Sequence, residues 1–463
     1  MDIDFNLRFW FFNRKVSLSK YAVRYLIIAI TILLTFVIAY WGTTLVFSAL
    51  FIAFAGAVGL LILMRQIKLG FFLILIGGMF IPFKGPGGFN ASILMVILIC
   101  GLWLLDMFIV KREFKFISSR AIRPVTYMMM ISVVAFGLGQ IPWFAFGTQA
   151  PFDAQLGGFA IYFFSLATMA MTANLITDVK WLKAIVWTFI GLGTVYVLGN
   201  AANLAIVDRV YQAGVYANSM FWTWMVALPL GQALFNNDLS RRNRILVFGI
   251  VAATFLVAFV QQNDWKSGWV PPAVAAVILV VLRYRQLLFA GIPLAAIYGG
   301  VVAQDLISTD QYSWGTRVDA WLVVLDISKT SPFFGLGFAN YYWYALLFNI
   351  RGYHIRFNSH SQYVDLIAQT GIAGLLCFLW ILFEVTILSW SLREKMKDGF
   401  SRGYVYGMIG GVAAVVMAAF LVDWVLPFAY NIGLDGFRAS ILPWIFFGGL
   451  ISLEQIRKTE TNP

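Results

Sequence analysis

The sequence has few of the charged residues that a soluble domain needs to cover its surface. Only 12% of its residues are charged and 61% are hydrophobic, whereas about 25% are charged in soluble domains. A chain of this composition cannot keep its apolar side chains away from water in a globular fold. The composition therefore excludes a soluble enzyme or a soluble binding module. It predicts an all-α, polytopic membrane protein.

Cysteine and histidine are also scarce, with 2 of each. Cys100 and Cys377 lie in separate apolar stretches, which indicates small buried side chains rather than a disulfide or a thiolate metal site. His354 and His360 both lie in the longest segment that cannot be a membrane helix. Because histidine is the side chain best suited to proton transfer near neutral pH, we expect the chemistry in that segment. Without supporting carboxylates the histidines predict no metal site, and no cofactor is expected.

Apolar segments that are long enough, or nearly long enough, to span ~30 Å of hydrocarbon recur along the chain. We expect about 12 to 14 transmembrane helices, although 69–83 and 269–282 are short for a span. The segments lie near 22–41, 43–64, 69–83, 91–110, 124–141, 157–176, 182–203, 216–235, 244–262, 269–282, 287–304, 361–390, 404–426 and 436–453. One long outer (periplasmic) loop, 305–360, interrupts the series. Its length and its aromatic residues predict an ordered structure with a short helix between Phe338 and Ile350.

The basic residues fall mostly in every second connection between the apolar segments. The positive-inside rule then places both termini in the cytoplasm and 305–360 outside. The net charge of +12 is explained by this topology, so no nucleic-acid partner is expected. The basic residues left on the outer side are Lys84, Arg209, Lys266, Arg317, Lys329, Arg351, Arg356 and Arg438.

These outer basic residues predict an anion site. Four of them lie in 305–360, and Arg209, Lys266 and Arg438 lie in other outer loops that can converge on it. An arginine fork matches phosphate oxygens with two hydrogen bonds, so a diphosphate is the expected ligand. Asp423 lies near the outer end of its helix, where we expect it to pair with Arg438 or another outer arginine.

An ordered series of motifs follows in this part of the chain: Arg317 and Trp321, Pro332-x-x-Gly335-x-Gly337, His360 and Tyr363, and Gly371 and Gly374. The series resembles the O-antigen ligase/polymerase superfamily over about residues 200–455. Two positions depart from the family: Ser361 stands where asparagine is common, and Lys266 stands where arginine is usual. The predicted division is an N-terminal transmembrane bundle (1–200), an O-antigen ligase/polymerase-like domain (201–455) that contains the catalytic outer loop 305–360, and a cytoplasmic tail (456–463).

The resemblance implies a GT-C-like, inverting, metal-independent glycosyltransferase at the outer face of the bacterial inner membrane. The implied donor is a glycan on undecaprenyl diphosphate. The implied acceptor is a lipid-linked repeat, for an O-antigen or exopolysaccharide polymerase, or a lipid A–core sugar of lipopolysaccharide, for a ligase. Membrane lipids and a chain-length regulator are the other expected partners.

The resemblance also implies roles for individual residues. The family's histidine aligns with His360, which is the expected base, and Arg317 is expected on the diphosphate. The expected substrate-binding residues are Arg209, Lys266, Arg351, Arg356, Arg438, His354, Tyr363 and Asp423.

A flippase or another transporter of lipid-linked oligosaccharides is the alternative. Many helices and outward-facing cations suit a transporter as well. A transporter should show two similar halves, however, and the hydropathy shows no repeat. A transporter also has no need for an ordered outer loop that contains both histidines. Protein-glycosylating members of the superfamily share the donor chemistry and remain a third alternative.

Overall fold

The structure is a computed structural model that describes residues 44–113, 116–211, 218–261, 266–287, 311–396 and 399–461, with single positions at 25, 28, 29, 32, 300 and 304. These ranges are helical apart from turns and two isolated bridges. Contacts between residues divide the chain into two compact units. The smaller unit comprises Met1–Gly70 and Ile99–Lys115, and the larger comprises Phe71–Leu98 and Phe116–Pro463.

The described helices follow the apolar segments of the sequence. They are α1 (Thr44–Arg65), α2 (Gly70–Phe80), α3 (Ala91–Leu105), α4 (Ile122–Leu138), α5 (Phe152–Leu175), α6 (Val179–Ala201), α7 (Ala205–Val210), α8 (Ser219–Phe235), α9 (Arg241–Phe255), α10 (Lys266–Arg283), α11 (Gln311–Ser328), α12 (Asn340–Tyr344), α13 (Gln362–Leu392), α14 (Gly399–Leu421) and α15 (Gly433–Thr461). A π-helical turn prolongs α3 over Asp106–Lys111, and another prolongs α9 over Leu256–Gln261.

The prediction of an all-α, polytopic membrane protein is confirmed. In the described ranges, 7 helices are long and apolar enough to cross a membrane, and an eighth span results if the broken pair α1 and α2 counts as one. Every predicted apolar segment inside these ranges coincides with a helix. The predicted segments 22–41 and 287–304 lie outside the described residues, apart from single positions.

The segment 305–360, which was expected to be an outer loop with a short helix, also contains a full helix in the structure. The 18-residue helix α11 occupies Gln311–Ser328 and carries Arg317. Hydropathy marks only apolar helices, and α11 is interrupted by charged residues such as Asp319 and Asp326. The short helix expected between Phe338 and Ile350 is present as α12, followed by a single 3₁₀ turn.

Two apolar helices form the interior of the larger unit. All residues of α8 are buried, and the apolar part of α15 is buried along its whole length. A helix that is hydrophobic on every side is stable only when other helices surround it. Accordingly α8 packs against α10 and α14, and α15 packs against α5. By contrast, α11 and the start of α13 contain polar and charged residues.

A break in α13 explains the Pro-x-x-Gly-x-Gly motif. Gly371 interrupts the helix with φ +71° and ψ −174°, a region that is essentially restricted to glycine. The break frees backbone N–H groups, and the Ile372 N–H donates to the Pro332 carbonyl at 2.9 Å. In return the Leu336 N–H donates to the Ala368 carbonyl at 2.8 Å. The motif is therefore a backbone clasp on α13, which fixes the helix that begins just after His360.

Candidate functional site

A cleft of about 470 Å³ lies beside the turn that carries His360. It is lined by Thr316, Arg317, Ala320, Ile350, Arg351, Tyr353, Ile355, Phe357, Asn358 and His360. Its volume is in the range of small-molecule sites. Two arginines and no carboxylate line it, which suits an anion. In the described ranges, no group of three or more His, Cys, Asp and Glu side chains could hold a metal ion.

The Arg-x-x-x-Trp spacing on α11 joins the cleft to the histidine turn. Residues four apart lie on the same face of a helix. From that face, Trp321 Nε1 donates to the backbone carbonyl of Ser359 at 2.6 Å. Arg317 is half-buried, and its guanidinium donates to the Leu421 carbonyl at 3.5 Å. The helix thus places Arg317 at the cleft and ties itself to the residue that precedes His360.

A tight turn brings a second arginine to the cleft. Ile350 and Tyr353 exchange two backbone hydrogen bonds of 2.9 Å, and Arg351 lies between them. Arg351 Nε donates to Asp319 Oδ2 at 2.5 Å, and Asp319 follows Arg317 by two residues on α11. Because both side chains of this ion pair are about a third or more exposed, the pair contributes only about 0–1 kcal/mol to stability. Its main effect is to hold Arg351 near Arg317.

His360 has a left-handed backbone with φ +50°, which is uncommon for a residue other than glycine. Its N–H donates to Asn358 Oδ1 at 3.0 Å. Burial lowers the pKa of His360, the Asp423 carboxylate opposes this shift, and the positive charge of Arg317 adds to it. The ring is therefore mainly neutral near pH 7, as a general base must be.

Asp423 is fully buried just beyond the end of α14. Its Oδ2 accepts from Asn358 Nδ2 at 3.0 Å, and its Oδ1 accepts from Asn431 Nδ2 at 2.7 Å. Burial raises the pKa of Asp423, while these amides and His360 oppose the shift. Asp423 was expected to pair with Arg438 or another outer arginine; in the described residues it accepts from these two amides, and Arg438 pairs with Asp435. Asn358 therefore connects Asp423 to the backbone of His360.

Several expected binding residues do not line the cleft. Arg356 stacks on Trp343, with Cζ 3.6 Å from the ring centroid. His354 is exposed, and its Nδ1 lies 3.1 Å from the Leu346 carbonyl. Tyr363 donates its hydroxyl hydrogen to the Val416 carbonyl at 2.9 Å. These three residues are close to His360 in the sequence, but they do not line the cleft with it.

Two further outer cations, Arg438 and Arg209, do not line the cleft either. Arg438 is buried and pairs with Asp435 at 3.7 Å, because the two residues are three apart on α15. Arg209 is exposed on the short helix α7. Lys266 begins α10, and its side chain lies outside the described residues. Of the outer cations whose side chains the structure describes, Arg317 and Arg351 line the cleft.

The uncharged and acidic residues that hold the histidine turn were not predicted as site residues from the sequence. Asn358, Ser359 and Tyr341 surround it with hydrogen bonds. The polar run from Asn358 to Ser361 between apolar segments is a signal of such a turn. Asp365 also had a signal, because an ionisable residue in the first turn of an apolar helix is a functional candidate by default.

The comparisons with known proteins fall on the same segment. Residues 238–379 match the sequence profile of the family described as O-antigen ligase. A search of curated proteins finds no match. The matched range contains α11, the glycine clasp and His360, and it ends within α13. The match confirms the resemblance to the O-antigen ligase/polymerase superfamily that the motifs indicated.

Proposed function

We propose that this chain, whose residues 238–379 match the family described as O-antigen ligase, transfers a glycan from undecaprenyl diphosphate to a sugar hydroxyl. The observation that carries the proposal is the cleft that Arg317, Arg351 and His360 line together. A sugar hydroxyl is a poor nucleophile and needs a base, and a departing diphosphate needs positive charge. The cleft supplies both.

The proposed reaction is a single displacement. The acceptor oxygen attacks the anomeric carbon on the face opposite the diphosphate, while His360 takes the hydroxyl proton. The bond from the anomeric carbon to the diphosphate oxygen breaks, and its electron pair leaves with the diphosphate. One displacement inverts the configuration at that carbon, so the enzyme is expected to be inverting.

The diphosphate is proposed to lie against Arg317. A guanidinium can form two parallel hydrogen bonds to phosphate oxygens. Arg317 is half-buried, and apolar side chains such as Ile350 and Ile355 share the cleft with it. In such partly desolvated surroundings, charge interactions are stronger than in water. Arg351, which Asp319 holds beside α11, is the second proposed contact.

The proposed place of the reaction is the outer face of the bacterial inner membrane, with both termini of the chain in the cytoplasm. The distribution of basic residues supports this orientation. The acceptor is proposed to be a second lipid-linked repeat or a lipid A–core sugar. Assays with each acceptor separate a polymerase from a ligase.

Glycan transfer by the purified protein from an undecaprenyl-diphosphate-linked donor tests the proposal, with donor binding measured separately. His360→Ala should bind the donor but lose transfer by about 10²–10⁴-fold. His354→Ala makes the same change at an exposed histidine outside the cleft, and most transfer should remain. Near wild-type transfer by His360→Ala would overturn the assignment of the base.

The contact with the diphosphate is tested by two variants of Arg317. Arg317→Lys should fail nearly as badly as Arg317→Ala, because an ammonium group cannot make the two parallel bonds. Full transfer by Arg317→Lys would refute the bidentate contact. A transporter would instead move the donor across proteoliposomes without forming a glycosidic bond, and that outcome would replace the enzyme with the alternative.

A further inference from the structure

The polar network beneath His360 contains a carboxyl group that the proposed reaction does not use. Asp365 lies in the first turn of α13 and is fully buried. Its Oδ1 accepts from the Tyr341 hydroxyl at 2.5 Å and from Ser359 Oγ at 2.7 Å. Its Oδ2 has no hydrogen-bond partner in the described part of the chain. Burying a carboxyl group with an unpaired oxygen is costly, so the group needs an explanation beyond packing.

Asp365 fixes the direction of two hydroxyl protons. A hydroxyl group carries one proton, and burial raises the pKa of Tyr341 well above its ordinary value, so this hydroxyl stays protonated. Its short bond to Asp365 uses that proton, which leaves the Tyr341 oxygen to accept the Ser359 N–H at 3.4 Å. Ser359 Oγ likewise donates to Asp365 and accepts the Ser361 N–H at 3.1 Å.

A weaker alternative exists for the Ser359 proton. The Ser361 carbonyl lies 3.1 Å from Ser359 Oγ, farther than the carboxyl oxygen at 2.7 Å. The bond to the carboxyl oxygen has the distance typical of an O–H···O hydrogen bond, whereas the bond to the carbonyl is longer than usual. The carboxyl group of Asp365 therefore decides which way this hydroxyl points.

These bonds surround the backbone of His360. The N–H groups of Ser359, His360 and Ser361 each reach a side-chain oxygen, and the His360 N–H reaches Asn358. The two flanking bonds depend on hydroxyls that Asp365 orients. Left-handed backbone at a residue other than glycine persists only where the surroundings hold it. The hydrogen bonds of this network thus hold the left-handed backbone of His360.

We propose that Asp365 is a positioning residue, which orients the hydroxyls of Tyr341 and Ser359 and thereby holds the turn that presents His360 to the cleft. This inference rests on the proposed role of His360 as the base. Asp365 does not line the cleft, so it acts through the turn and not on the substrate.

Transfer kinetics of two Asp365 variants give the first test. Asp365→Asn keeps an oxygen that can accept both bonds but replaces the second oxygen by an amide nitrogen, whereas Asp365→Ala removes the acceptor. We expect kcat to fall about 10-fold in the first variant and about 10²-fold in the second, because small displacements of a catalytic group have effects of this size. Donor binding should stay within about twofold. Unchanged kcat in both variants would overturn the proposal.

A double variant separates positioning from other effects. If Asp365 acts through His360, then Asp365→Asn should change residual transfer by less than about twofold in the His360→Ala background, because residues that act as a unit are not additive. A further tenfold loss in the double variant would show that Asp365 acts elsewhere and would refute the inference.

A readout without transfer keeps this inference distinct from the proposed function. In a His354→Ala background purified without a histidine tag, His360 is the only histidine, and its ring NMR signals report its surroundings. Asp365→Asn and Tyr341→Phe should shift these signals and their titration midpoint. Matched changes elsewhere, Glu384→Gln and Tyr404→Phe, remove a buried carboxylate and a buried hydroxyl that bind other partners, and they should leave the signals in place.

Unchanged His360 signals in Asp365→Asn and Tyr341→Phe would overturn the inference even if transfer falls. Shifted signals together with full transfer by His360→Ala would preserve the positioning and refute only the base. If Asp365→Ala does not fold, the isosteric Asp365→Asn and Tyr341→Phe carry the test alone.

Discussion

Replacing Gly371 by alanine should destabilise the protein strongly. A Cβ on Gly371 would lie 2.2 Å from the backbone carbon and oxygen of Phe333, and the residue has φ +71°. The backbone conformation costs an alanine about 1–3 kcal/mol. Overlap with a carbonyl that belongs to the clasp adds about 1–3 kcal/mol. The expected loss is therefore about 2–6 kcal/mol of stability.

Alanine variants of two other glycines separate the cost of the backbone conformation from the cost of the steric overlap. Gly352 also has a positive φ, +88°, but a Cβ there meets no atom within 4 Å. Gly352→Ala should therefore lose only the conformational part, about 1–2 kcal/mol. Gly191 lies inside α6 in open space, and Gly191→Ala should gain about 0.5–1 kcal/mol.

Thermal unfolding of the detergent-purified protein, followed by intrinsic fluorescence, measures the order of apparent midpoints. We expect Gly191→Ala above wild type, Gly352→Ala below it and Gly371→Ala lowest. Equal midpoints for Gly371→Ala and Gly352→Ala would refute the clasp, since the Phe333 carbonyl would then move away without cost.

Two further predictions concern the charges around the cleft, and a third concerns the topology. Transfer should fall on the acid side with a midpoint below 6.5, because the lowered pKa of His360 keeps the base neutral to lower pH. Asp423→Asn removes a charge that raises this pKa, so the midpoint should move further down, and an upward shift in the pH profile would contradict the coupling. Asp319→Asn should change the free energy of unfolding by no more than about 1 kcal/mol yet weaken donor binding, whereas unchanged binding would separate Arg351 from the donor. In cells, an impermeant thiol reagent should label Lys329→Cys and spare Glu394→Cys, two positions with similar side-chain exposures of 78% and 77%, and the reverse pattern would invert the topology.

Long apolar segments and short motifs were predictable from the sequence because each depends on local chemistry. The predicted segment 361–390 agrees with α13 to within two residues at each end. Its apolar composition and its length are enough to predict a membrane span, whatever the segment packs against. The motif containing Arg317 and Trp321 identified the segment that joins the cleft to the histidine turn. The helical character of the segment was missed, because hydropathy does not register a helix whose charges face a cleft or an ion pair.

The polar contacts of the site were not predictable, because they join segments far apart in the sequence. Asp423 hydrogen-bonds Asn358, which lies 65 residues earlier. Nothing local distinguishes that partner from the nearer Arg438, which the fold pairs with Asp435 instead. Charge complementarity in a sequence identifies which groups need partners, but only the packing of α13, α14 and α15 decides between them.

Three side-chain hydrogen bonds in and around the site end on backbone carbonyl oxygens. Arg317 binds the carbonyl of Leu421, Trp321 that of Ser359, and Tyr363 that of Val416. Every amino acid offers the same carbonyl, so the acceptor position can change its side chain without losing the bond. Evolution can therefore vary residues such as Leu421 and Val416 while their partners stay fixed. Correlated substitution between paired positions, a common guide to spatial contact, should be silent at these three contacts.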